Sequence, residues 1–95
     1  FLDEPCAGMD PGARERFLAS LVKVGKQRRF PALIYVTHHV EEILPLFRKT
    51  LVLHGGKILH SGATASVLDE KVLQQLYGIP FTLVKRKGRY WPISK

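Results

Sequence analysis

The sequence predicts an α/β domain, and three observations lead there. Strand-like and helix-like patterns succeed one another in the order strand end, helix, strand, helix, hairpin, helix. Residues 32–37 form a continuous apolar run with β-branched and aromatic members, the composition of a strand covered on both faces, as parallel sheets require. Two polar clusters, Asp3-Glu4 and Thr37-His38, fall at the ends of strands. Ligands of open α/β sheets gather at the carboxyl ends of strands, so these clusters are the first candidates for a site.

Each element has a local reason. Phe1 and Leu2 read as the end of a strand that meets the acid pair. Asp10-Pro11 reads as a helix start: the aspartate accepts from free first-turn amides, and proline loses no useful donor there. Phe17, Leu18, Leu21 and Val22 recur at helical spacing, and Gly25 is a natural stop before the polar linker Lys26-Gln27-Arg28-Arg29. After the 32–37 strand, Glu41 and Glu42 suit the first turn of a second helix, which Pro45 should weaken or end. Residues 50–54 and 57–60 read as a hairpin whose Gly55-Gly56 turn supplies the positive φ angles of a two-residue loop, with Gly62 ending it. Residues 64–77 are helical in pattern, with a break expected near Asp69, and Gly78 and Pro80 close the segment. Residues 81–85 read as one more strand, followed by a turn at Lys87-Gly88.

Composition narrows the classes of function. Ninety-five residues suit one small domain or part of a larger one. No apolar run approaches the roughly 20 residues of a membrane span, and no basic-then-apolar leader opens the chain. The lone Cys6 cannot form an internal disulfide, which fits a reducing compartment. Of the net charge of +7, five units sit in residues 85–95, leaving +2 on the rest. This basic tail is a solvated end, or a terminal strand or hairpin whose Tyr90 and Trp91 pack on the body, or a surface for nucleic acid or acidic lipid.

The strand-end clusters make chemical sense together. Of two neighbouring carboxylates, one can help hold a hard cation such as Mg²⁺ and the other can orient or deprotonate a water. A histidine from the next strand can then contact a phosphate oxygen, as phosphoryl transfer demands positioning more than covalent chemistry. The bland reading is an acid pair ending a strand and a threonine capping a turn. A transition-metal site is disfavoured: His38 and His39 diverge, and a plain hairpin register places His60 opposite Leu51, on the other face from His54. Cys6 reads as a small filler rather than a nucleophile.

The ordered motifs add a resemblance. Leu2-Asp3-Glu4-Pro5 followed by Ala7-Gly8-Met9-Asp10 resembles the Walker B end and D-loop of ATP-binding cassette (ABC) ATPases. Residues 36–42, Val-Thr-His-His-Val-Glu-Glu, are similar to their switch-histidine segment, and the hairpin with Gly55-Gly56-Lys57-Ile58 follows at the family's spacing. The resemblance covers residues 1–78 and leaves 79–95 as a basic C-terminal extension. It implies the C-terminal part of a P-loop NTPase-like, mostly parallel sheet with flanking helices and a β-hairpin. It implies further that Asp3 holds Mg²⁺ through water, that Glu4 is the catalytic carboxylate, and that His38 contacts the γ-phosphate of ATP. Asp10 would belong to the loop reaching a second ATPase domain; it also suits capping its own helix. The loop Ala7-Gly8-Met9-Asp10 departs from the family's Ser-Ala-Leu-Asp and lacks its hydroxyl.

The phosphate loop G-x-x-x-x-G-K-[ST] and an LSGGQ-like signature do not occur in these residues. The expectation is therefore a fragment, inactive alone, of an ATPase subunit that drives membrane transport with permease partners, cytoplasmic and at the inner face of the cell membrane. The rival reading is a non-transport cytosolic ABC ATPase, or a nucleic-acid-binding module using the basic aromatic tail.

Overall fold

The structure, a computed structural model, describes residues 1–27 and 32–95. Arg28 and Arg29 of the expected linker lie outside the described residues. Strand β1 (Leu2–Asp3) pairs in parallel with β2 (Tyr35–Val36), Leu2 opposite Tyr35 and Asp3 opposite Val36. Helix α1 (Pro11–Gly25) lies between them in sequence. Its cap is as the sequence predicts: the Asp10 carboxylate accepts from the Ala13 amide at 2.8 Å, with proline at the first helical position. Leu18, on the inner stripe of α1, packs with Cys6 and Leu44, flanked by Tyr35 and Phe47.

Beyond β2 the chain makes only a single 3₁₀ turn, Val40–Glu42, where a helix was expected. Ile43 is already extended, and a proline ring at 45 would clash with the carbonyl four residues back in any continuing helix. Strand β2 also departs from expectation. It spans two residues, and Ile34 and Val36 are 57% and 40% exposed rather than covered on both faces. Among the described residues, β1 is its one sheet neighbour. Among the described residues the parallel component is this pair, and the other two sheets are antiparallel hairpins.

The first hairpin joins β3 (Lys49–His54) to β4 (Lys57–Ala63) through Gly55 and Gly56, both at positive φ. It continues through Gly62, which the sequence suggested as its end. Its register shifts: Leu53 faces Ile58, but Val52 faces His60, so Leu59 is an extra residue in a β-bulge. His60 therefore pairs with Val52 rather than Leu51, on the side His54 also occupies. Its Nε2 lies 3.0 Å from Gln75 Oε1. Among the described residues no three histidine, cysteine or acidic side chains are placed to hold a metal ion.

The helical pattern of 64–77 is divided at Asp69 as expected. Helix α2 (Thr64–Val67) ends there, and α3 (Glu70–Tyr77) starts with Asp69 Oδ1 accepting from the Val72 amide at 2.8 Å. The second hairpin, β5 (Phe81–Arg86) with β6 (Arg89–Ser94), packs on the body. Tyr90 is buried with Val40, Leu68 and Leu73, so the tail is a terminal hairpin packed on the body, one of the readings its sequence allowed.

The turn of this hairpin requires Gly88 twice over. Lys87 and Gly88 both have positive φ, and a Cβ on Gly88 would sit 2.8 Å from Pro45 Cγ. A Cβ on Gly56, also at positive φ, meets nothing within 4 Å. Gly56→Ala is expected to cost about 1–2 kcal/mol for its φ alone. Gly88→Ala adds about 1–3 kcal/mol of overpacking against a ring that cannot bend away. Equilibrium urea unfolding of the two variants checks this; equal losses would mean that the Pro45 contact relaxes freely.

Candidate functional site

Parallel pairing brings the carboxyl ends of β1 and β2 to the same edge. Two bonds fix the register there: the Leu2 amide donates to Ile34 O and the Glu4 amide to Val36 O, both at 2.8 Å. Glu4 then takes φ +49, a left-handed conformation that costs a non-glycine residue about 1–2 kcal/mol. The chain reverses at once, with the Ala7 amide donating to Glu4 O and the Met9 amide to Cys6 O. A strained residue at a strand end is a recurrent feature of functional sites.

The side chains of Glu4 and His38 meet at this edge, Oε1 3.6 Å from Nε2. The His38 ring is 87% exposed, so its packing does not hold it; the backbone that carries it does. Glu4 Oε1 is itself buried and has no hydrogen-bond partner among the described residues. A buried acceptor beside a ring nitrogen, just beyond bonding distance, is placed to receive a proton or a water hydrogen. Asp3 is exposed at the end of β1. Asp10 is not drawn into the Glu4–His38 pair: its carboxylate caps α1.

Sequence reasoning missed the layer beneath. Glu42 sits in the first turn as its sequence position suggests, but it is buried, only 2% exposed. Its Oε1 accepts from the Tyr35 hydroxyl at 2.6 Å and from Thr37 Oγ1 at 3.2 Å. Thr37 Oγ1 in turn accepts from the His39 amide at 3.0 Å, which closes the turn under His38. Cys6 Sγ lies 3.3 Å from the Tyr35 oxygen. Because the Tyr35 proton is committed to Glu42, the thiol donates, giving the chain Cys6, Tyr35, Glu42. One signal was available: a tyrosine within an apolar strand must bring its hydroxyl to a partner.

Burial pushes the Cys6 thiol and the Tyr35 hydroxyl above their ordinary pKa values, so neither ionises readily. Cys6 is thus a protonated donor in a packed position, not an activated nucleophile. Around the turn, Tyr77 donates to His38 O at 2.8 Å and His39 Nδ1 sits 3.1 Å from Glu41 Oε1.

An acid and a histidine at the carboxyl ends of two parallel strands define a class, an α/β protein with its candidate site at the carboxyl edge of a parallel pair. Comparisons with known proteins make the class specific. No protein-family model matches the chain. It is 36% identical over 88 residues to the ABC transporter ATP-binding protein YlmA of Bacillus subtilis, covering 93% of this chain and 33% of that protein. It is 38% identical over 92 residues to YmeB of Lactococcus lactis, another ABC transporter ATP-binding protein, covering 97% of this chain and 36% of the relative. Its fold superposes with a TM-score of 0.76 on a solved metal-chelate type ABC transporter in an inward-facing conformation, covering 99% of this chain and 39% of that one at 23% identity. The chain belongs to the ABC-type ATPase family. It spans about a third of the length of the curated relatives it matches.

The buried hydroxyl gives a pH dependence with a definite sign. In the unfolded chain Tyr35 loses its proton near pH 10.0, whereas the folded hydroxyl keeps it. The folded state then binds more protons, so stability is complete below that pH and declines as pH rises above it. Tyr77, raised by burial, adds in the same direction. Tyr35→Phe should cost about 1–3 kcal/mol near neutrality, by removing a donor to a buried carboxylate. It should also flatten the alkaline decline in chemical unfolding midpoints; a decline as steep as that of the parent chain would contradict this account.

Proposed function

We propose that this chain is the C-terminal part of an ATPase domain, running from the Walker B acids onward, whose complete form hydrolyses ATP to drive membrane transport. The observation that carries the reading is the Glu4–His38 pair at 3.6 Å, formed by two strand ends that the sequence separates by a helix. The description of the relatives as ABC transporter ATP-binding proteins supports both ATP and transport. Among the described residues no helix is long and apolar enough to cross a membrane. In the proposal, membrane passage belongs to permease subunits, and the ATPase lies in the cytoplasm at the inner face of the membrane.

The residues present fit Mg²⁺ in the manner that ion prefers. It commonly takes one or two carboxylates, with waters and substrate phosphates completing the shell. Exposed Asp3 supplies such a carboxylate without a closed protein cage. The ion, when bound, would neutralise charge on the phosphates. Glu4, through its unpartnered Oε1, would orient and deprotonate the attacking water. His38 would contact the terminal phosphate and fix the geometry of attack. Asp10, at the head of α1, would face a second ATPase domain while still capping its helix. The mostly parallel sheet would be completed around β1 and β2 by strands of the remaining domain, which would cover the exposed Ile34 and Val36. Residues 1–78 would carry the ATPase motifs, and residues 79–95 would be the extension.

Nucleic-acid binding by the tail is less well supported. Tyr90 is buried, Trp91 lies against the Arg89 guanidinium, and Lys95 sits 3.6 Å from Glu70. The groups that would stack on bases are occupied within the chain.

In the complete protein, Glu4→Gln is expected to lower ATP turnover by about 10²-fold or more, the range general-base catalysis spans, with ATP affinity nearly retained. Steady-state turnover and equilibrium nucleotide binding check this; unchanged turnover removes Glu4 from the chemistry. The purified 95-residue chain should show no Mg-dependent turnover.

A further inference from the structure

The 3₁₀ turn that follows His38 cannot hold itself in place. It contains two backbone bonds of its own, from the Glu42 amide to His39 O and from the Ile43 amide to Val40 O. Because the chain becomes extended at Ile43, Glu41 O gains no partner from the residues that follow, the usual condition of carbonyls at a helix end. Its partner comes from 48 residues away. Arg89, at the start of β6, donates to Glu41 O from Nε at 3.2 Å and again from Nη2.

The same guanidinium forks onto α1. Nη1 donates to Glu15 Oε1, and Nη2 to Glu15 Oε2 at 3.1 Å. Arg89 holds the Glu15 carboxyl below its usual range, the signature of a charge-assisted pair. The indole of Trp91 covers the guanidinium face at 4.6 Å. One side chain thus joins three elements: the last hairpin, the turn that carries His38, and the helix that begins at Asp10. The next residue, Tyr90, packs on Val40 in the same turn.

We infer that Arg89 is a positioning residue for His38: it locks the 3₁₀ turn against α1 and thereby sets the spacing of His38 from Glu4. The exposed His38 ring has no packing to place it, so its location follows the backbone that Arg89 and Tyr77 tether. The tethering half of this inference stands on the contacts alone; its consequence for turnover rests on the ATPase reading above. Lysine cannot replace arginine here, because a single ammonium cannot reproduce a fork that serves a carboxylate and a carbonyl together.

The test uses the complete protein with Arg89→Ala, Arg89→Lys and Glu15→Gln, and Val72→Ala as a control. Val72 is buried in a separate cluster with Val52 and Val67. Amide hydrogen exchange is followed at Glu42 and Ile43 and, for comparison, in the β3–β4 hairpin. Arg89→Ala should speed exchange in the turn about tenfold more than in the hairpin, a local opening rather than a global one. Val72→Ala should not favour the turn. Turnover should fall about tenfold with KM for ATP nearly constant, since a small misplacement of a reacting group can cost on the order of 10²-fold. Arg89→Lys should show both effects more weakly, and carries the test if the alanine variant does not fold. Glu15→Gln should loosen the turn in part and add little on top of Arg89→Ala. Exchange that rises equally everywhere, or kcat no lower than in Val72→Ala in a protein that does turn over ATP, overturns the inference. Absence of turnover in the parent protein would overturn the ATPase reading, while exchange would still decide the tether.

Discussion

The site depends on one pairing, that of β1 with β2 in parallel. Two bonds at 2.8 Å and a two-residue register align the carboxyl ends of strands that α1 separates in sequence. A parallel connection is what makes this possible: both strands run the same way, so both release their chemistry at the same edge. Had the two strands run antiparallel, Glu4 and His38 would lie at opposite ends. The strained φ of Glu4 belongs to the same constraint, since the chain must turn immediately after pairing to keep the carboxylate at the edge.

Beneath that edge lies a polar layer that is unusual for a small core. Glu42 is buried, and a buried carboxylate is costly unless its oxygens find donors. Tyr35 and Thr37 supply them, and the thiol of Cys6 extends the chain by one link. The geometry is specific because each donor has a single proton to give. The network therefore fixes the rotation of the turn relative to β2, and ties the loop after Glu4 to the loop carrying His38 through the Cys6–Tyr35 contact.

The last hairpin makes the outer half of the same support. Its core residue Tyr90 contributes apolar contact to Val40, while Arg89 supplies the hydrogen bonds that the turn lacks. Cation and aromatic residues that look like a binding tail in sequence are thus consumed in holding the body together. Lys85, over the Tyr90 ring at 5.4 Å, follows the same pattern. Among the cations of residues 85–95, position in the fold separates structural ones from those left facing water.

Much was legible from residues alone wherever the controlling interaction is local. Asp10 caps the helix that follows it, the helical pattern of 64–77 breaks near Asp69, Gly55-Gly56 makes its turn, and the motif order placed Glu4 and His38 at strand ends, because each of these features is settled within a few residues of chain. Tertiary contacts decided the rest. The bulge at Leu59 turned His60 toward Gln75, a choice that depends on α3 being there. The shortening of the second helix to one turn, the burial of Glu42 beneath Tyr35, and the grip of Arg89 on partners 48 and 74 residues away all arise where distant elements meet. Local patterns specify how a segment bends and ends; which buried acceptor a given donor reaches is fixed only when the elements carrying both have packed.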